Sequence, residues 1–184
     1  GSVKIDGVDI RDYATSDLRA KFGVVFQNDT LFKDTIRENI RLGRNLTDEQ
    51  LLEAARRAQA LEFIEEQGGL DAPVAIKGAN LSGGQKQRLL LARALAGDPD
   101  ILLLDDSSSA LDYKTDAKLR EEIRLHCADA TKIIIAQRIS SIMHAEKIMV
   151  LENGNVIGMG THEELMETCP LYREIGESQI GEGL

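Results

Sequence analysis

The sequence predicts an α/β fold with parallel strands and an inserted segment that is nearly all helical. Two runs in the second half, Ile101–Leu104 and Lys132–Ala136, are apolar enough to be buried strands, and a helical segment separates them. Alternation of strand, helix and strand is typical of a parallel sheet. Between about residues 35 and 96, helical spacing and helix-start signals predominate, which predicts the helical insertion.

The first part of the chain predicts short elements. Val3–Gly7 alternates apolar and polar residues and then turns at glycine, so we expect an edge strand. Ser16–Lys21 is helix-like, Phe22–Phe26 predicts a buried strand that ends at Gln27, and Thr35–Leu42 predicts a short helix.

The helical insertion follows. Thr47–Gln50 is a capping-box pattern that leads into apolar residues at helical spacing, and Leu61–Glu66 continues the helical character. A plain loop is expected at Ala72–Gly78. The helix that begins at Ser82 is rich in leucine and alanine and stops before Pro99.

After the central strand, Tyr113–Cys127 predicts a helix. Lys147–Glu152 and Asn155–Met159 flank Asn153-Gly154, the strongest short-range hairpin signal. Thr161–Glu164 is a third capping-box pattern and predicts the start of a terminal helix.

Composition excludes several classes of function. The net charge of −9 over 184 residues gives no basic surface for nucleic acid, and aromatic residues (4%, no tryptophan) are too few for a base-stacking platform. The longest apolar runs are too short to span a bilayer. Cys127 and Cys169 form no metal-ligand spacing and suit a reducing compartment.

The segment Leu81-Ser82-Gly83-Gly84-Gln85 opens the longest predicted helix of the insertion. Two glycines in a first helical turn each cost about 1 kcal/mol relative to alanine, so we expect a compensating function. A serine and bare backbone N–H groups at a helix N-terminus form a phosphate cradle. The alternative is an ordinary capping box from Ser82 to Gln85, although such a box does not need the glycines.

Three further groups carry candidate chemistry. Asp105 and Asp106 follow the strand Ile101–Leu104, at the sheet edge where ligands bind in α/β folds, and an aspartate there can hold Mg²⁺ beside a nucleoside triphosphate. The alternative for this pair is a turn or a helix cap. Gln27 ends the strand Phe22–Phe26 and reaches the same edge. Within Ser109-Ala110-Leu111-Asp112, Asp112 fits the N-cap of the next helix, a role that can coexist with another.

Together these pieces resemble the ATP-binding-cassette (ABC) ATPases. Leu81–Gln85 is similar to their signature, Ile101–Asp106 to their Walker B strand and Ser109–Asp112 to their D-loop, and Gln27 is similar to their Q-loop glutamine. The order and spacing match along nearly the whole chain. Leu31–Ile40, like Thr161–Leu165, is similar to exporters of this family.

The resemblance implies a partial P-loop NTPase (RecA-like) core with an inserted helical subdomain, in one domain over residues 1–184. Its parts would be a lead-in at 1–27, the helical subdomain at 28–98, and core strands with C-terminal helices at 99–184. It also implies ATP and Mg²⁺ as cofactors, a second nucleotide-binding domain, a transmembrane domain fused upstream, and a place on the cytoplasmic face of the cell membrane.

In this family ATP lies between two cassettes. The resemblance therefore implies that Leu81, Ser82, Gly83, Gly84 and Gln85 contact ATP held by the partner. Asp105 with Gln27 would hold Mg²⁺, with Ser109 and Asp112 near the nucleotide, and Gln27 would couple the site to the membrane domain. Asp106 and Gln137 occupy the positions of the catalytic glutamate and the switch histidine.

Three departures from the family pattern shape the functional expectation. No Gly-Lys pair occurs, so the P-loop sequence Gly-x-x-x-x-Gly-Lys-Ser/Thr is absent; the chain looks truncated just after it, and we expect weak or no ATP binding by these residues alone. Asp106 is one methylene shorter than glutamate. Gln137 can donate a hydrogen bond but cannot hold a proton near neutral pH. The site of this chain should therefore hydrolyse ATP poorly.

The signature of this chain is intact, whereas the residues of its own ATP site depart from the family pattern. This combination resembles one half of a heterodimeric exporter with a non-identical partner. Two alternatives stay open at this point. One is a non-transporting ABC protein that uses ATP-dependent dimerisation mechanically on nucleic acid or the ribosome, although the acidic charge and the phrase Leu31–Ile40 disfavour it. The other is an inactive fragment.

Overall fold

A parallel pair of strands organises the α/β part of the computed structural model, which describes residues 1–107 and 109–181. The chain divides into two units, the first at Gly1–Ile134 and the second beginning at Ile135. The strands are β1 (Lys4–Ile5), β2 (Val8–Asp9), β3 (Phe22–Val25), β4 (Asp34–Thr35), β5 (Pro73–Val74), β6 (Ile101–Asp105), β7 (Thr131–Ile135), β8 (Ile148–Glu152) and β9 (Asn155–Gly160). The helices are α1 (Thr15–Ala20), α2 (Ile36–Arg41), α3 (Asp48–Arg57), α4 (Leu61–Glu66), α5 (Gly83–Leu95), α6 (Tyr113–His126), α7 (His162–Thr168) and α8 (Pro170–Gly181).

The central sheet has the order β3-β6-β7. β3 and β6 run parallel, in a register that pairs Phe22 with Ile101 and Val25 with Leu104. Gly23 lies where β3 crosses α5, and a Cβ there would collide with the carbonyl oxygen of Ala94. Glycine at this position therefore lets the longest helix of the insertion approach the sheet.

The burial of two strands differs from the prediction. Leu102 and Leu104 of β6 are buried, but Ile101 and Leu103 on the opposite face are only half-buried. The prediction of a second buried strand at Lys132–Ala136 is wrong in its burial, because β7 is mostly exposed, with Ile133 and Ile135 at 46% and 52%. An apolar composition shows that a strand can be buried, but not that a neighbouring element covers it. Within residues 1–107 and 109–181, β7 lies at the edge of its sheet.

Three predicted capping boxes are confirmed. Thr47, Ser82 and Thr161 are the N-caps of α3, α5 and α7, and each hydroxyl accepts a hydrogen bond from the amide three residues later. The side chain of that later residue, a glutamine or glutamate, returns a bond to the amide of the cap. These interactions are local, which is why sequence spacing alone predicts the helix starts within one residue.

The helical insertion packs α5 against α2 and α3, and the apolar side chains of these helices share one core with β3 and β6. The expectation of a nearly all-helical segment with a plain loop at Ala72–Gly78 needs one correction. β5 pairs antiparallel with β4, Asp34 with Val74 and Thr35 with Pro73, and a short 3₁₀ turn follows at Ile76–Gly78. A two-residue ladder leaves too short a pattern for sequence periodicity to reveal.

The second unit contains the predicted hairpin and a helical pair. β8 and β9 pair antiparallel around Asn153 and Gly154, which have φ values of 50° and 78° and so occupy the left-handed region that this turn needs. α7 and α8 pack together, and Leu165, Cys169 and Tyr172 form a core with Ile148 and Val150 of the hairpin strand. No helix in the described part of the chain combines the length and apolarity needed to cross a bilayer.

Candidate functional site

The N-terminus of α5 presents the signature residues at an exposed surface. Ser82 and Gly83 are exposed, whereas Leu81 is buried and donates its N–H to the carbonyl of Gly78 at 2.9 Å. Ser82 Oγ accepts the Gln85 N–H at 3.2 Å, and Gln85 Oε1 accepts the Ser82 N–H at 2.9 Å. The capping-box alternative is therefore present in the structure. It does not exclude anion binding, because the Ser82 hydroxyl still has its own proton to donate.

The two glycines of α5 have different surroundings. A Cβ on Gly84 would lie 3.3 Å from the carbonyl oxygen of Ala110, which is tighter than ordinary side-chain contacts. A Cβ on Gly83 would lie 3.7 Å from the Cβ of Ala110, an ordinary van der Waals distance. At Gly84, therefore, the backbone of α5 closely approaches the chain segment that follows β6. Packing within the described part of this chain does not account for the glycine at Gly83.

Gln27 and the two aspartates lie at one sheet edge. Asp105 is the last residue of β6, and Asp106 follows it; both are half-buried. Gln27 is exposed and stands two residues beyond Val25, the residue of β3 that pairs with Leu104. Because the strands are parallel, their carboxyl ends meet at this edge, which is where α/β sheets bind ligands.

A tight turn follows β6. Asp106 has a φ of 48°, in the left-handed region, and its carbonyl oxygen accepts a hydrogen bond from Ser109 Oγ at 3.2 Å. Asp112 then caps α6, because its carboxylate accepts the Thr115 N–H at 2.9 Å and the Thr115 hydroxyl at 2.7 Å. The amide and the hydroxyl of Thr115 hold the pKa of Asp112 below its usual value. The predicted N-cap role of Asp112 is confirmed.

Gln137 lies in the second unit, two residues after β7, and is exposed. Its carbonyl oxygen accepts a hydrogen bond from Gln179 Nε2 at 2.7 Å, and Gln179 Oε1 accepts the Ile139 N–H at 2.9 Å. Gln179, on α8, therefore fixes the main chain on both sides of Arg138.

Sequence reasoning missed two residues of α5 that tie the signature helix to its surroundings. Gln87 donates from Nε2 to the Asp106 carbonyl at 3.1 Å and accepts the Ala110 N–H at 2.8 Å on Oε1. Arg88 donates to the Gln59 carbonyl at 2.7 Å, and its guanidinium lies 5.0 Å from the centre of the Phe63 ring. Both residues lie in the second turn of a capped helix, and the sequence carries no signal for the segments that they contact.

A buried polar network, also missed, fixes the segment after Gln27. Arg93 is 6% exposed and donates to the carbonyls of Asn39 at 2.7 Å and Thr30 at 3.0 Å. Asn39, fully buried, accepts the Phe32 N–H at 2.8 Å and donates to the Phe32 carbonyl at 3.0 Å. Burial lowers the pKa of Arg93, and the carboxylate of Asp29, 3.6 Å away, opposes that shift. The network joins α5 to the chain that leaves the sheet edge at Gln27.

This arrangement can be compared with known proteins. A protein-family model described as ABC transporter matches residues 1–109, more than half of the chain. The chain belongs to the ABC transporter family.

Individual relatives agree with this family. Two Staphylococcus aureus proteins, from strains NCTC 8325 and COL, are named as multidrug export ATP-binding/permease proteins. Each is 44% identical over 177 residues, which is 95% of this chain and 31% of the relative. A solved structure of a bacterial Atm1-family ABC exporter with ATP bound matches with a TM-score of 0.92 and 38% identity, over 98% of this chain and 32% of that one.

These matches confirm the predicted fold class, because the α/β architecture with its parallel strands is that of the ATP-binding domain of an ABC exporter, a P-loop NTPase fold. The chain spans about a third of the length of the relatives that it matches.

Members of this family use ATP with Mg²⁺, and the donor set at the sheet edge fits that ion. Asp105 offers a carboxylate and Gln27 an amide oxygen at the ends of adjacent strands. Mg²⁺ is bound by one or two protein oxygens together with phosphates and waters, so no larger cage is needed. In the described part of the chain no three or more His, Cys, Asp or Glu side chains form a cation-binding group.

Proposed function

We propose that this chain is the ATP-binding domain of an ABC exporter and couples ATP binding and hydrolysis to the movement of a substrate across a membrane. The observation that carries the proposal is the exposed, capped N-terminus of α5 in a chain of this family. The names of the relatives support export over a non-transporting role.

Leu81, Ser82, Gly83, Gly84 and Gln85 serve a nucleotide held by a second nucleotide-binding domain. The N–H groups of Gly83 and Gly84 and the Ser82 hydroxyl are hydrogen-bond donors, and the positive end of the helix dipole favours phosphate. Leu81 is buried beneath this surface and anchors it to the Gly78 carbonyl. In the sequence, α5 separates this donor surface from Asp105. In the fold, Gln87 links the beginning of α5 to the main chain directly after Asp105, at the carbonyl of Asp106.

Asp105 and Gln27 hold Mg²⁺ at the sheet edge. The ion neutralises charge on the phosphates of ATP. Asp105 is half-buried at the end of β6, and Gln27 is exposed enough to reach a phosphate-bound ion. The Asn39–Arg93 network fixes the chain that follows Gln27, so a movement of this glutamine is passed to α2 and α5.

The site that this chain's own residues serve hydrolyses ATP weakly. Asp106 is the base that would take a proton from water, and it is shorter than glutamate by one methylene. Gln137 can donate a hydrogen bond to phosphate but cannot take up or release a proton near neutral pH. Ser109 and Asp112 hold the turn and the helix that follow Asp106. The partner domain is therefore expected to be non-identical and to supply the stronger site.

We assign the docking surface of the transmembrane partner to a groove in the first unit. It has a volume of about 460 Å³ and is lined by residues 33–35, 73–75 and Asn80. Phe32 and Ile76, next to lining residues, are large apolar side chains exposed to 52% and 65%. The groove begins at Lys33, so a helix of the membrane domain seated there would contact the segment that connects Gln27 to α2. In this proposal the domain lies on the cytoplasmic face of the membrane, as the family resemblance implies.

The test is the steady-state hydrolysis of Mg-ATP by the full-length protein with its partner domain. Ser82→Arg places a bulky cation at the phosphate-binding surface and should abolish turnover at the partner's site. Thr47→Arg is the matched control, because Thr47 also caps a helix within a capping box but lies on α3. The proposal is overturned if Ser82→Arg leaves total hydrolysis at the level of the control.

A further inference from the structure

The side chain of Gln87 bridges α5 and the turn that follows β6. Nε2 donates to the carbonyl of Asp106 at 3.1 Å, and Oε1 accepts the N–H of Ala110 at 2.8 Å. A carbonyl requires a donor and an N–H requires an acceptor, so only this orientation of the amide satisfies both. One side chain thus fixes two main-chain groups that are four residues apart.

The main chain that Gln87 holds is in a rare conformation. Asp106 has a φ of 48°, which costs a residue with a side chain about 1–2 kcal/mol, and such conformations persist only where the surroundings enforce them. Gln87 Nε2 and Ser109 Oγ both donate to the carbonyl of this residue. On the other side of the turn, the Ala110 carbonyl packs against Gly84. Contacts from the first two turns of α5 therefore enforce the conformation.

We propose that Gln87 is a positioning residue that sets the direction in which the Asp106 carboxylate leaves the main chain. The direction of a side chain from Cα follows from the backbone conformation, and the Gln87 hydrogen bonds hold that conformation. The inference rests on the proposed function, in which Asp106 stands in the place of the base. A displacement of about 1 Å at a reacting group can cost on the order of a hundredfold in rate.

The first test measures kcat and KM for Mg-ATP in the full-length protein with its partner. The starting variant carries Asp106→Glu and Gln137→His, which strengthen this site. Gln87→Glu keeps the size and the acceptor of the side chain but removes the donor. Added to this pair of substitutions, it should lower the increase in kcat at least ~10-fold and leave KM within ~2-fold. Gln87→Ala should do the same. Gln50→Ala is the control, since Gln50 also bonds a main-chain N–H near a helix start, on α3.

The second test is amide hydrogen exchange at Ala110 in the same protein, which does not depend on hydrolysis. Gln87→Ala should speed exchange at this amide by at least ~10-fold, and Gln87→Glu should keep it protected, because a carboxylate still accepts the bond.

Unchanged exchange in Gln87→Ala, or a kcat gain that survives Gln87→Glu, overturns the inference alone. No gain from Asp106→Glu with Gln137→His removes the role of Asp106, and with it the inference. Absence of hydrolysis in every variant and in the unsubstituted protein overturns the proposed function and the inference together.

Discussion

The carbonyl oxygen of Ala110 lies 3.3 Å from the point that a Cβ on Gly84 would occupy. This contact joins the start of α5, which we propose offers donors to a nucleotide on the partner, to the turn that carries Asp106. Part of the glycine content of the signature is therefore explained by packing within this chain.

The Gly84 contact predicts different outcomes for the two glycines. Gly84→Ala should push the Ala110 turn away by a few tenths of an ångström and weaken the bond from its N–H to Gln87. Amide exchange at residues 109–112 of the full-length protein should then accelerate. Gly83→Ala is the control, because its Cβ finds an ordinary contact, and it gains up to about 1 kcal/mol of helix propensity. Equal exchange in the two variants would contradict this explanation.

The buried Asn39 should be far more sensitive than a similar exposed residue. Asn39→Ala leaves the N–H of Phe32 and a donor of Arg93 without their acceptor inside the protein, which costs on the order of 2–3 kcal/mol. The measurement is amide exchange in α2 of the full-length protein, which should accelerate strongly.

Asn80→Ala is the matched control, because Asn80 also bonds one main-chain N–H and one carbonyl, of Ala75 and Pro73, but is exposed. Water can replace those bonds, so we expect a change below about 1 kcal/mol. An equal effect of the two substitutions would show that burial of the Asn39 network does not matter.

Cys127 should react slowly with alkylating reagents. Burial raises the pKa of its thiol, so at pH 8 a smaller fraction is the reactive thiolate than in an unfolded chain. Iodoacetamide labelling of the full-length protein, followed by peptide mass spectrometry, should be at least ~10-fold slower at Cys127 than after unfolding. Raising the pH from 7 to 9 should increase the native rate. Native labelling as fast as unfolded labelling would mean that the thiol is accessible.

Residues 1–184 alone should bind Mg-ATP weakly, with a Kd above about 1 mM, because they contain no P-loop sequence to cradle the phosphates. A calorimetric titration of this segment, in a sample shown by circular dichroism to be folded, measures the affinity. Micromolar binding would refute the expectation.

Local interactions account for what the sequence could predict. The three capping boxes, Asp112 as a helix cap and the Asn153-Gly154 hairpin depend on residues within four positions of each other, and all are confirmed. The strand–helix–strand alternation of the second half predicted a parallel sheet, and β3 and β6 pair in parallel, although the alternation did not identify this pair.

Interactions between distant segments account for what was missed. The exposure of β7 depends on what lies beside it in the sheet, and the ladder between β4 and β5 joins segments almost 40 residues apart. In the sequence, Gln87 is one of several polar residues on a helix, and only the fold shows that it bonds the main chain of Asp106 and Ala110. The role of such a residue is set by its neighbours in space.

We propose above all that this domain offers its signature to a partner's nucleotide while its own site is weakened at Asp106 and Gln137. The most direct measurement is the kcat of Mg-ATP hydrolysis by the full-length protein with its partner, before and after Asp106→Glu combined with Gln137→His. We expect a rise of at least ~10-fold when Ser82→Arg is present in both proteins to silence the partner's site, because a base of the required length and a protonatable group are restored. An unchanged or lower kcat would contradict it.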